Sequence, residues 1–169
     1  TVYSETITVT PTPSQPTITA SDSDLSICSG DAVTLTAPIY SGTTVTYTWN
    51  DGTSNIGGTS SNQITVSPTA NTTYTLTVSV NGCDATASTI AINVNAVPTV
   101  SATTATLDCA TTGSSLDLGA TITAVGATSY TWSGPNGCNA TGWNRTVKNV
   151  SYEDNGGYTV VGSNAYGCY

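Results

Sequence analysis

The strongest constraint on the fold is an internal repeat. The stretch "PTITA" from Pro16 returns as "PTVSA" from Pro98, 82 positions on, and "YTW" from Tyr47 returns from Tyr130, 83 on. "YTLTVSVNGC" from Tyr74 is echoed by "YTVVGSNAYGC" from Tyr158 after 84 positions, and Cys83 by Cys168 after 85. Four landmarks in one order at nearly one spacing predict two homologous domains in tandem, because a repeated supersecondary unit leaves this signature. The boundaries expected are 14–95 for the first domain and 96–169 for the second.

Each copy is built from short alternating runs. In the first, "PTITA", "AVTLTA", "TVTYTW", "NQITVS", "TYTLTVSV" and "ASTIAINV" read as strands, and "SGD", "NDG", "SPTAN" and "NG" break them. No stretch carries apolar residues at helical period over three turns. The fold class expected is all-β, two tandem immunoglobulin-like β-sandwiches. Roughly a fifth of the residues are Thr, a β-branched polar side chain suited to a pleated, half-wet surface. Domains this small bury modest cores, so a covalent staple matters to them.

The second copy carries the more specific motif. "RTVKNVSYEDNGGYTVVGSNAYG" contains Asp154, Gly156 and Tyr158 in a D-x-G-x-Y arrangement, followed by Asn164 and Gly167. It resembles the tyrosine corner and F-to-G region of immunoglobulin-like domains, in which the tyrosine hydroxyl bonds back to the backbone. Trp49 and Trp132 match the core tryptophan on strand C of that family. The resemblance fails at the F-strand cysteine: Leu76 and Val160 stand there, so aliphatic packing replaces the usual inter-sheet disulfide. With "ICSGD", "SPTANTTYTLTV" and "YTWSGPNG", the chain is similar to the Ig-like or PKD-like tandem repeats of large surface adhesins of Bacteroidetes. That resemblance implies secreted modules strung into stalks, filaments or adhesive surfaces.

Five cysteines without histidine or a C-x-x-C pair argue against a zinc site and for disulfides in an oxidising, extracellular setting. The candidates are Cys28, Cys83, Cys109 and Cys168, and two schemes remain open. Spacing invites Cys28 with Cys83 and Cys109 with Cys168. Ig topology objects, since the turn before strand B and the F-to-G hairpin lie at opposite ends of a domain, about 20 Å apart for six residues of strand. Bridged Cα atoms lie within about 7 Å, so either the strand registers differ, or the bridges cross between domains, Cys28 with Cys168 and Cys83 with Cys109 across the next junction. Cys138 is the odd one, read either as a small buried side chain or local partner of Cys109, or as a cross-link to a neighbouring chain.

Little in the chain offers reaction chemistry. With no histidine there is no Ser-His or Cys-His couple, and Lys148, the one lysine, has no motif around it. The reading is therefore of a protein that is not an enzyme and needs no cofactor. Asp22 and Asp24 in "ASDSDL" are a candidate for a structural calcium, but they lack the glycine and distal glutamate of an EF-hand loop, and a solvated acidic turn is the simpler expectation. Trp143, after "NATG", is the one candidate for stacking on a glycan, against the commoner role of packing under a loop. Asn71, Asn139, Asn144 and Asn149 fit the N-glycosylation sequon, as chance alone arranges in a chain rich in Asn and Thr. Ten carboxylates against two bases, net −8, disfavour a nucleic-acid partner or an anionic membrane surface. No apolar run approaches the length of a membrane helix.

Residues 1–13, "TVYSETITVTPTP", alternate like a strand that belongs to no domain of their own. They continue the pattern of "STIAINVNAVPT", so they are expected to be strand G of a preceding or neighbouring Ig-like domain, and the second domain is expected to want such a strand. The function that follows is a structural repeat module of an extracellular filament or surface adhesin, joined to copies of itself in a covalent or strand-complemented array. The alternatives are a carbohydrate-binding module contacting glycans or surface polymers, and an accessory domain of a secreted enzyme.

Overall fold

A computed structural model describes residues 3–5, 9–58, 60–104, 115–143 and 145–169. Two compact units result, Thr1–Val94 and Asn95–Tyr169. Among the described residues the regular structure is β-strand, with two single-turn 3₁₀ segments at Gly119–Thr121 and Tyr152–Asp154.

The first unit holds β1 (Thr19–Ala20), β2 (Ser26–Cys28), β3 (Val33–Thr36), β4 (Val45–Asn50), β5 (Asn55–Ile56), β6 (Gln63–Val66), β7 (Thr72–Val80), β8 (Cys83–Asp84) and β9 (Ser88–Asn95). One sheet has the order β1-β3-β6 and the other β2-β9-β7-β4-β5, with β8 turned back onto β7. This is the strand order of an immunoglobulin-like sandwich, A-B-E facing A′-G-F-C-C′. The alternation seen in the sequence is the alternation of burial: β3 reads buried, half-buried, buried, half-buried, and β7 buries Tyr74, Leu76, Val78 and Val80. Period-2 burial follows from the pleat, which sends successive side chains to opposite faces. Between the sheets pack Leu35, Trp49, Leu76 and Val78, each with no exposed surface. Fully burying an aliphatic side chain of this size contributes about 1.5–3 kcal/mol, so a handful of them carries the sandwich.

Asn81 and Gly82 form the turn between β7 and β8 with φ of 52° and 84°, the pair of left-handed residues that a type I′ hairpin requires. Asn supplies one at low cost and Gly the other at none.

The second unit holds β10 (Thr99–Ala102), β11 (Leu116–Asp117), β12 (Ile122–Val125), β13 (Ser129–Gly134), β14 (Cys138–Thr141), β15 (Thr146–Val147) and β16 (Thr159–Ser163). β10 pairs β12, β11 pairs β15, and a third sheet has the order β14-β13-β16. The 3₁₀ turn Gly119–Thr121 breaks what is one strand in the first unit, so that β11 faces β15 and β12 faces β10. The repeat is kept in register. Trp49 on β4 lies opposite Leu76 on β7, and Trp132 on β13 lies opposite Val160 on β16. Each tryptophan is thus set against the aliphatic residue that takes the place of the family's F-strand cysteine.

Three strands of the first unit, β2, β5 and β8, escape the sequence pattern. They are two or three residues long, too short for an alternation to register.

Candidate functional site

The corner of the second unit is assembled from the run Ser151–Tyr158. Ser151 caps the 3₁₀ turn Tyr152–Asp154: the Asp154 carboxylate accepts from the Ser151 N–H at 2.9 Å and from its hydroxyl at 3.1 Å. Asn136 Nδ2 donates to the same carboxylate at 3.3 Å. These donors hold the Asp154 carboxyl below its ordinary range, the Ser151 backbone N–H contributing most. Tyr158 Oη donates to the Asp154 carbonyl at 3.0 Å, which ties the start of β16 to the turn before it. Burial, and then the nearby Asp154 charge, push the Tyr158 phenol up. Gly156 stands at φ 150°, and a Cβ there would lie 2.7 Å from Pro135 Cγ, so the motif admits no larger residue without movement. The Tyr158 ring lies over Gly134, where a Cβ would overlap it.

The tryptophans divide into core and surface. Trp49 is fully buried with Nε1 donating to the Ser61 carbonyl at 3.4 Å, and Trp132 is buried with Nε1 donating to the Gly142 carbonyl at 3.0 Å. Trp143, which follows β14, is 39% exposed and meets Tyr130 edge to face, centroids 5.0 Å apart at 81°. One ring edge is thereby used in packing.

Cysteine pairing differs from the spacing argument. Cys28 and Cys168 are each held in a disulfide, whereas Cys83 and Cys138 are free thiols. The Cys28 to Cys83 bridge is therefore not formed, for the reason topology gives. Leu25, just before β2, accepts from the Asn93 N–H on β9, while Cys83 lies opposite Val80, beyond the Leu76 to Ser88 pair. Nine residues of strand separate those levels, about 30 Å at ~3.3 Å each, against the ~7 Å a disulfide spans. Cys109 lies outside the described residues. Cys138 is buried and its Sγ accepts from Arg145 Nε at 3.3 Å, a contact that pairs one of the two cations of the chain with a thiol. Nothing in the local spacing announces it.

Asp22 and Asp24 are spent on their own loop: Asp22 Oδ1 accepts from the Asp24 N–H at 3.3 Å and Asp24 Oδ1 from the Ser26 N–H at 3.0 Å. Of the sequon asparagines, Asn71 Oδ1 accepts from the Val94 N–H at 2.7 Å, and Asn144 lies outside the described residues.

A concavity of the second unit was not legible in the sequence. It measures about 630 Å³, and Leu116, Leu118, Ile122, Trp132, Tyr158 and Val160 are among the residues that line it. In the first unit the corresponding sheet continues past β7 into β9, whose Ile92 is buried and whose Ile90 and Val94 pack on the core. Among the described residues β16 pairs with β13 alone.

Neither a protein-family model nor a curated protein sequence matches the chain. Among solved structures it is similar to the two-domain fibronectin type-III segment from chicken tenascin, at 16% identity over 87% of this chain and 82% of that one, with a TM-score of 0.35. The sandwich assignment rests on strand order and register instead.

Proposed function

We propose that the chain is a structural repeat module of an extracellular filament or surface-adhesin stalk, one link in an array of like sandwiches joined end to end. The observation that carries this is the tandem itself: two units that keep one register, Trp49 against Leu76 and Trp132 against Val160. Duplication of a small sandwich lengthens a molecule without adding a reaction centre, which is what stalks and filaments need. Oxidised Cys28 and Cys168 support a setting outside the reducing cytosol. The scarcity of cationic side chains, Lys148 and Arg145 alone, leaves few tryptic sites on a surface-exposed fibre. The similarity to adhesin repeats noted from "ICSGD" and "YTWSGPNG" points the same way and suggests a Bacteroidetes-type source.

Mechanical shearing of intact source cells, followed by peptide mass spectrometry of the released and retained fractions, tests this reading. Peptides of the chain are expected in the sheared surface material. Recovery from the cytosol alone would overturn it.

A further inference from the structure

We propose that the first unit carries a binding site for a neutral glycan, a cleft between its two sheets in which the Asp51 carboxylate and the Tyr74 phenol hold adjacent hydroxyls of a pyranose ring. The proposal adds a ligand to the array reading and rests on it for the setting in which surface glycans are met.

The starting observation is a difference between two equivalent tyrosines. In the second unit Tyr158 Oη donates to the carbonyl four residues before it, that of Asp154, at 3.0 Å, and pinning the corner occupies the phenol. Tyr74 is its counterpart in the repeat, and the carbonyl four residues before Tyr74 belongs to Ala70. That carbonyl accepts instead from Thr72 Oγ1 at 2.8 Å. Tyr74 is 3% exposed and, released from the corner bond, lines a cleft of about 560 Å³ together with Thr72 and Asp51. Small-molecule sites measure about 300–1,000 Å³, so the cleft has room for a ligand.

Asp51 follows β4 on the turn to β5. Because Asn50 pairs with Thr75, Asp51 comes level with Tyr74. Its Oδ1 accepts from the Thr53 N–H at 2.8 Å, from Thr53 Oγ1 at 2.7 Å and from the Ser54 N–H at 2.8 Å. These donors fix the carboxylate, and none among the described residues reaches Oδ2. The Thr53 hydroxyl, then the Ser54 and Thr53 N–H groups, hold the Asp51 carboxyl below its ordinary range, while burial, then the Asp51 charge, push the Tyr74 phenol up. At neutral pH the two therefore stand as a fixed acceptor beside a fixed donor.

Adjacent hydroxyls of a sugar ring match that pair. One donates to the carboxylate oxygen, a charge-assisted bond stronger than a neutral one, and its neighbour accepts from the phenol. Ile56, Val66 and Pro68 offer apolar surface to the C–H groups of the ring, and Ser67 and Thr69, both exposed, add hydroxyls along the connection from β6 to β7. An acidic sugar is opposed by Asp51 itself, since like charges brought together are costly, and the two cations of the chain, Arg145 and Lys148, both belong to the second unit. The second unit does not repeat the site. Counted from the equivalent tryptophans, Gly134 stands where the first unit has Asp51, and the Tyr158 ring lies over it.

The test is a heteronuclear NMR titration of the whole chain with cellotriose, mannotriose, chitotriose and lactose, with trigalacturonate as the acidic control. At least one neutral oligosaccharide is expected to shift the Asp51, Thr53, Thr69 and Tyr74 signals in a saturable way, and trigalacturonate is expected to shift none. Asp51→Asn keeps an acceptor for the turn and Tyr74→Phe keeps the ring; each should weaken the binding by about tenfold or more, the loss of one hydrogen bond to a charged or buried partner. Asp51 lies on a turn outside the core, so its variant reports on the site even where Tyr74→Phe loosens the fold.

Every other pattern overturns the proposal. No saturable shift with any of the neutral sugars means that the cleft is not a glycan site. Binding that survives Asp51→Asn belongs elsewhere, and shifts centred on Tyr130 and Trp143 would place it on the second unit. Trigalacturonate bound as tightly as a neutral sugar would remove the charge argument. In each case the shearing experiment can still find the chain on the surface. Conversely, glycan binding by a protein recovered only from cytosol would sink the array reading and leave the site standing.

Discussion

Replacing Tyr158 with Phe isolates one interaction at the corner of the second domain. The phenol donates to the Asp154 carbonyl at 3.0 Å, and the ring lies over Gly134 so closely that a Cβ on that residue would overlap it. Phe keeps the ring and deletes only the donor. A net intramolecular hydrogen bond contributes about 0.5–1.5 kcal/mol. Asp154 is only half-buried, so its carbonyl regains a water in the variant and the cost stays near 1 kcal/mol. In urea, with m of about 1 kcal/mol/M for a small domain, the midpoint of the second domain should fall by roughly 1 M. Intrinsic fluorescence follows the transition through Trp132, while the first domain, reported by Trp49, should keep its midpoint. Gly134→Ala, which forces the ring away, should cost more than Tyr158→Phe, in the 1–3 kcal/mol range of overpacked cores. An unchanged midpoint in Tyr158→Phe, or an equal fall in both domains, would refute the corner as the tie that fixes β16.

Leu76→Ala removes the fully buried partner of Trp49, and large-to-small changes of this kind cost about 2–5 kcal/mol; differential scanning calorimetry should show the first domain melting earlier and the second unmoved. Alkylation with iodoacetamide under nonreducing native conditions should modify half-exposed Cys83 quickly, Cys138 only on unfolding, and Cys28 and Cys168 only after reduction, with no Cys28 to Cys83 peptide in the map. The Asp154 carboxyl titrates below its ordinary 3.8 in the folded chain, so its contribution is fully present above that ordinary value and is lost as pH falls from there through the lower folded value; Asp154→Asn should flatten that limb of a Tm-against-pH curve.

Strand positions with long alternations were legible because burial imposes period 2 on every inward side chain, as in β3 and β7. The tandem was legible because Tyr47, Trp49 and Tyr74 have counterparts at one spacing. The corner motif was readable from Asp154, Gly156 and Tyr158 because each type answers one demand: a carboxylate for the cap, no Cβ beside Pro135, and a phenol long enough to reach back. The cysteines resisted. Their pairing is set by which ends of the strands they occupy, and β2, which carries Cys28 to its level beside β9, is only three residues long. The Cys138 to Arg145 contact and the concavity of the second unit were hidden for a related cause: the first is made by a residue outside any strand, and the second is lined by residues from several separate segments.

The central claim, that this chain is a structural link of an extracellular assembly, is tested most directly by immunogold electron microscopy of unpermeabilised source cells, using antibody raised to the folded chain. Gold distributed along surface filaments or stalks at repeated intervals is the predicted result. Gold that appears only after permeabilisation, within the cell body, would contradict it.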